Sequence, residues 1–92
     1  MPELPAPKRA IALSYEEGQH APRVTATGAG LVAERILAAA REAGVPVRSD
    51  PALTRALSAL ELGDEVPPAL WTAVAETLAW AYRLDAQASR GG

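Results

Sequence analysis

The stretch PPALWTAVAETLAWAYRL, residues 67–84, limits the fold more than any other part of this chain. Two prolines open it, and the spacing that follows predicts a helix running to about Leu84. At 100° per residue, Leu70, Val74, Thr77, Leu78 and Ala81 fall on one face, with Trp71 and Tyr82 on one flank and Ala73, Trp80 and Leu84 on the other. The apolar arc is about 200° wide, roughly twice what a surface helix uses. Either both flanks are covered, with the two tryptophans in the core, or part of the helix is left as an apolar surface for a partner.

The chain has little with which to cover such a helix. At 92 residues it is one small domain, near the lower limit for a core that has no metal or disulfide to hold it. Zero cysteines remove disulfides, thiol chemistry and most zinc sites, and a single histidine cannot build a multi-histidine metal cage. A reducing, cytosolic setting is the expectation, with no cofactor. Nine basic against eleven acidic residues leave a formal charge of -2 and no basic footprint for nucleic acid, and the absence of Phe removes the usual stacking platforms. No apolar run approaches the roughly 18 residues of a membrane span, and Met1-Pro2-Glu3 lacks the features of a signal peptide, so a soluble chain is expected.

The other elements are short. Residues 1–9 hold three prolines and no periodicity, which predicts a disordered lead. Ala10 to Tyr15 alternates so that Ile11, Leu13 and Tyr15 share a face, and Arg23 to Thr27 alternates again, giving two strands. Gly28-Ala29-Gly30 breaks the second. Leu31 to Ala43 then carries a helical stripe through Val32, Ala33, Ile36, Leu37 and Ala40, closed by Gly44 as a left-handed cap. Val45 to Arg48 predicts a third strand, which Pro46 confines to an edge or a strand start. Asp50-Pro51 opens another helix with the stripe Leu53, Ala56, Leu57 and Leu60, and Glu61 to Val66 forms an acidic turn. Residues 85–92 read as a flexible tail. The order predicts a single α/β domain over residues 10–84, a small mixed sheet flanked by about three helices, its second and third strands parallel across a right-handed connection.

The candidate chemistry is thin. Gly28-Ala29-Gly30-Leu31-Val32-Ala33 at a helix start, with Asp50 about twenty residues on, meets a dinucleotide fingerprint on paper. Against it stand the small size and a better use for Asp50 as a helix cap. A nucleotide-binding domain on Gly28, Gly30 and Asp50 therefore remains the alternative, tested by titration with NAD or ATP. His20 reads as a solvated loop residue, and Ser14 lies within a strand pattern rather than on an exposed elbow, so no hydrolytic triad forms. The neighbours Glu16-Glu17 and Asp64-Glu65 point apart and read as loop charges. With chemistry set aside, the apolar excess of the last helix points to a peptide-docking module.

Taken in order, the segments resemble a known family. Ala10 to Tyr15, Ala21-Pro22-Arg23-Val24 with Ala26, Gly28 and Gly30, then Val45-Pro46, Pro51 to Leu57, Glu61 to Pro67 and Ala73 to Trp80 resemble the cytoplasmic domain of the FlhB/YscU family, the specificity switch of flagellar and virulence type III export. The likeness spans about residues 10–84. In that family an Asn-Pro-Thr-His loop cleaves itself after the Asn; the matching stretch here is Pro5-Ala6-Pro7-Lys8, which lacks both the Asn and the His, so the resemblance implies no enzymatic activity. The family's preceding strand and membrane domain have no counterpart in the sequence, as in the short, free-standing relatives of the switch domain. The resemblance also implies an apolar patch for early export substrates at Ala21, Pro22, Ala75 and Leu78. The partners it implies are export-apparatus proteins and their substrates, at the inner face of the membrane; an adaptor outside secretion is the other possibility, and gene neighbourhood separates the two.

Overall fold

The computed structural model describes residues 8–91. Two strands, β1 (Arg9–Ser14) and β2 (Arg23–Ala29), are followed by helices α1 (Leu31–Ala43), α2 (Pro51–Leu57) and α3 (Trp71–Gly91), the last entered through a 3-10 turn, Pro68–Leu70. The α/β class with three flanking helices is thus as the pattern predicts. The lead expected over residues 1–9 lies outside the described residues up to Pro7, and Arg9 already belongs to β1.

The alternation in β1 separates two packing faces. Ile11 and Leu13 pack against the core formed by Leu53 and Leu57 of α2, Val66, and Val74 of α3. Period-two geometry turns Ala10 to the opposite side, toward the helix that follows β2. There the residues are small: Ala10 pairs with Gly28, and a methyl group added at Gly28 would sit 2.8 Å from Val32 Cβ. Large side chains on one face and near-bare backbone on the other let α1 come close to the sheet while α2 and α3 form the main core beneath it. One register shift between Ala12 and Leu13 leaves Thr25 unmatched, a bulge in β2.

The sheet differs from the expected mixed one. Val45 to Arg48 forms no strand, and the described strands are a purely antiparallel pair, so the expected parallel crossover is absent among the described residues. The reason lies in the donors. Helix α1 ends in a Schellman arrangement in which Gly44 N–H donates to the Arg41 carbonyl at 3.2 Å and Val45 N–H to the Ala40 carbonyl at 2.8 Å. Pro46 has no N–H to give. Two of the four ladder donors are therefore gone before a strand can begin.

The outer edge of β2 is taken instead by residues 63–66. Val24 N–H donates to the Asp64 carbonyl at 2.9 Å, Gly63 N–H to the Val24 carbonyl at 2.8 Å, and Val66 N–H to the Pro22 carbonyl at 2.8 Å. Arg23 reinforces the pairing, donating to the Gly63 carbonyl at 3.1 Å and approaching Glu65 at 3.8 Å. The stretch read as an acidic turn thus also serves as a short third rung of the sheet.

Helix boundaries follow local chemistry where local chemistry is strong. The Asp50 carboxylate accepts from Leu53 N–H at 3.1 Å with Pro51 at the first helical position. Asp50→Ala should cost about 1 kcal/mol through the orphaned helix donor, read as a lower urea midpoint with an unchanged slope. Helix α3, by contrast, does not stop near Leu84: its backbone stays helical to Gly91. Residues 85–90 contain neither Gly nor Pro, so nothing local ends the helix sooner.

Candidate functional site

The first two turns of α3 form one wall of a shallow depression of about 220 Å³. Trp71, Val74, Ala75 and Leu78 come from the helix; Tyr15, His20 and Pro22 come from the connection between β1 and β2. Their spacing on α3 is three, four and seven residues, one stripe of a helix. The structure therefore brings Pro22, Ala75 and Leu78 together, although Pro22 and Ala75 stand more than fifty positions apart in the chain.

Each expected site residue has a distinct position. Ala75 is exposed and Leu78 is half-buried, with its inner side packed against the core cluster. Pro22 is buried like Ala21; it reaches the lining of the depression, and its carbonyl anchors residue 66. Ala21 is only 2% exposed, so it lies beneath this surface and supports the loop rather than offering a contact.

Trp71 organises the rim. Its indole Nε1–H donates to the Val66 carbonyl at 2.8 Å, which ties the start of α3 to the segment that completes the sheet. The His20 ring meets it edge-on, centroids 6.0 Å apart and planes at 78°. His20 is thus not merely a solvated loop residue: it is exposed, and it closes one side of the depression. The reading with both tryptophans in the core gives way as well, since Trp71 is 37% exposed and Trp80 half-buried. Apolar surface on α3 is left open because the flank bearing Trp71 has only a loop beside it. The depression has no charged side chain among the residues that line it, and its chemistry is that of apolar and aromatic contact.

A family model described as "FlhB HrpN YscU SpaS Family" matches residues 7–81. The chain belongs to this family. The FlhB-family domain is 43% identical over 79 residues to the uncharacterized protein YlqH of Bacillus subtilis, covering 85% of both chains. It is 45% identical over 84 residues to the flagellar biosynthetic protein FlhB of Escherichia coli, covering 89% of this chain but 22% of that one. Among solved structures, the PscU C-terminal domain is 33% identical with a TM-score of 0.75, covering 79% of this chain and 95% of that one. A mutated EscU C-terminal domain superimposes with a TM-score of 0.80 at 28% identity, covering 83% and 94%. The fold is thus that of the YscU-type C-terminal domains, and the chain spans about a fifth of the length of FlhB. Among its described residues no helix is long and apolar enough to cross a membrane.

The glycines of the alternative nucleotide reading have structural uses in this FlhB-family domain. Gly28 gives room for Val32, Gly30 takes a positive φ of 60° at the entry to α1, and its N–H is occupied by the Lys8 carbonyl at 2.7 Å. Asp50 caps α2. The Gly30 N–H is thus taken from a phosphate, and one Asp50 oxygen is committed to the cap.

Sequence reasoning missed Tyr15, His20 and Trp71 as rim residues. A signal existed for one of them: Trp71 sits on the flank of an apolar arc too wide to be wholly covered. Nothing local marked Tyr15 or His20, because their place depends on where the loop lands.

Proposed function

We propose that this domain is a non-enzymatic protein-binding module of flagellar or type III export, working at the inner face of the membrane and docking export substrates or export-apparatus proteins at the α3 depression. The observation that carries the reading is the convergence of exposed Ala75 and half-buried Leu78 with Trp71, Tyr15 and His20 on one open surface, with the buried Pro22 among its lining residues. Its uncharged lining suits an apolar anchor side chain of an extended or helical segment. Relatives named as a flagellar biosynthetic protein and, in Ralstonia nicotianae, as a hypersensitivity response secretion protein supply the export context. The 92 residues contain no asparagine, so side-chain cyclisation of the kind that cleaves the family's Asn-Pro-Thr-His loop has no residue to start from.

The test is a titration of the labelled domain with the N-terminal segment of a rod or hook subunit, followed by NMR. Expected are shifts at the Trp71 indole N–H and at the methyl groups of Ala75 and Leu78. Shifts confined to residues outside the depression would remove the site assignment.

A further inference from the structure

A larger cleft, about 520 Å³, opens between the start of β1 and residues 47–51. Lys8, Arg9, Arg48 and Arg55 stand around it, and Leu37 and Val47 contribute apolar surface. All four basic residues are exposed, and the one ion pair among the described residues is Arg23 with Glu65. Asp50 also lines the cleft, but one of its carboxylate oxygens is engaged with the first turn of α2. Nine basic residues are present in the whole chain, so four around one cleft make a local positive field on a molecule of net negative formal charge.

The second observation concerns the edge of the sheet that this cleft adjoins. β1 pairs with β2 along one side only, and among the described residues no backbone hydrogen bond from another segment reaches Arg9–Ser14. The far edge of β2 is partly filled by residues 63–66; that of β1 is not filled by any of the described residues. Alternate residues of this six-residue strand, about 20 Å long, thus turn unpaired main-chain donors and acceptors outward, the others being bonded to β2.

The two features call for one occupant. An extended main chain satisfies the edge, and carboxylates satisfy the basic rim. We propose that the free edge of β1, with the basic cleft at its N-terminal end, receives an extended acidic segment of a partner protein, which adds to the sheet as a strand. A second copy of this chain fits less well: antiparallel pairing of two β1 strands sets Arg9 beside the neutral Ser14 end and leaves the cleft uncompensated. Free phosphate is also a poor match, since it accepts from the edge N–H groups but offers nothing to the edge carbonyls. This surface shares no residue with the α3 depression, so the two proposals stand or fall separately.

The probe is the blocked peptide DETVTVTDE, with KRTVTVTKR as its counterpart, added to the full chain and followed by amide hydrogen exchange. The acidic peptide should slow exchange at the amides of Arg9–Ser14 that do not bond to β2, and its binding should weaken as salt is raised. The basic peptide should not bind, and the double variant Arg48→Glu, Arg55→Glu should bind the acidic one at least tenfold more weakly. Four results would each overturn the proposal: outward-facing β1 amides already protected in the free chain, binding without new protection of those amides, affinity indifferent to salt and to the double variant, or self-association that accounts for any protection seen. If the double variant does not fold, the salt series and the basic peptide on the native chain still decide the matter.

Discussion

Ala75→Asp is expected to weaken capture of an export subunit at least tenfold while leaving the domain folded. Ala75 is exposed on the open wall of the depression, so the substitution disturbs no core contact. It does place a carboxylate where an apolar anchor would have to sit, and desolvating that charge without a partner costs more than the ~1.4 kcal/mol that a tenfold loss represents. The change is not free for the helix. Asp is about 0.7 kcal/mol less favourable than Ala in a helix interior, which in a domain of this size lowers the melting temperature by roughly 3–6 °C. Ala86→Asp supplies the matched control: the same helix and a similar propensity cost, about 16 Å further along the axis. Equal loss of capture in both variants, or none in Ala75→Asp, would sink the docking site. Leu78→Asp is the poorer probe, because Leu78 also packs on the core and its loss mixes folding with binding.

Leu57→Ala should produce the largest change in stability. Leu57 is nearly buried within the cluster of Leu53, Val66 and Val74, and Ile11 and Leu13 of β1 pack against that cluster. Truncation leaves a cavity at the junction of α2, α3 and the sheet. Leu-to-Ala changes at such sites cost about 2–5 kcal/mol, and a domain this small has on the order of 5 kcal/mol to lose. A fall in melting temperature of about 8 °C or more is expected, with partial unfolding at room temperature at the upper end. Leu31→Ala serves as the contrast: Leu31 is 73% exposed at the start of α1 and should shift stability by no more than about 0.5 kcal/mol. If the two variants melt together, the core is not where the packing places it.

Residues that act on their immediate neighbours were legible in advance. Asp50 before Pro51 marked the start of α2, and Gly44 marked the end of α1, because a cap depends on hydrogen bonds within one turn. The stripe of α3 was legible too: Val74 is fully buried, with Leu70, Ala73 and Leu78 half-buried around it. The end of α3 was not, since a helix without a stop residue runs on for as long as its own propensity carries it. The site was half legible. Ala75, Leu78 and Pro22 came from the family resemblance, while the burial of Ala21 and Pro22 and the rim of Tyr15, His20 and Trp71 depend on where the loop before β2 comes to rest.

By itself the sequence determined the periodicity of each element, the caps of α1 and α2, and an apolar excess on α3 too large for an ordinary surface helix. Those properties reside in residues three to five positions apart. Only the tertiary structure decided which segment would complete the sheet. Residues 45–48 carry strand-like side chains, but two of their four donors are lost to the α1 cap and to Pro46; residues 63–66 look like a turn, yet three backbone hydrogen bonds hold them between β2 and the loop before it. Competition among distant segments for the same donors and acceptors leaves no mark in local pattern. The same competition placed Trp71 against the Val66 carbonyl and left the depression beside it open.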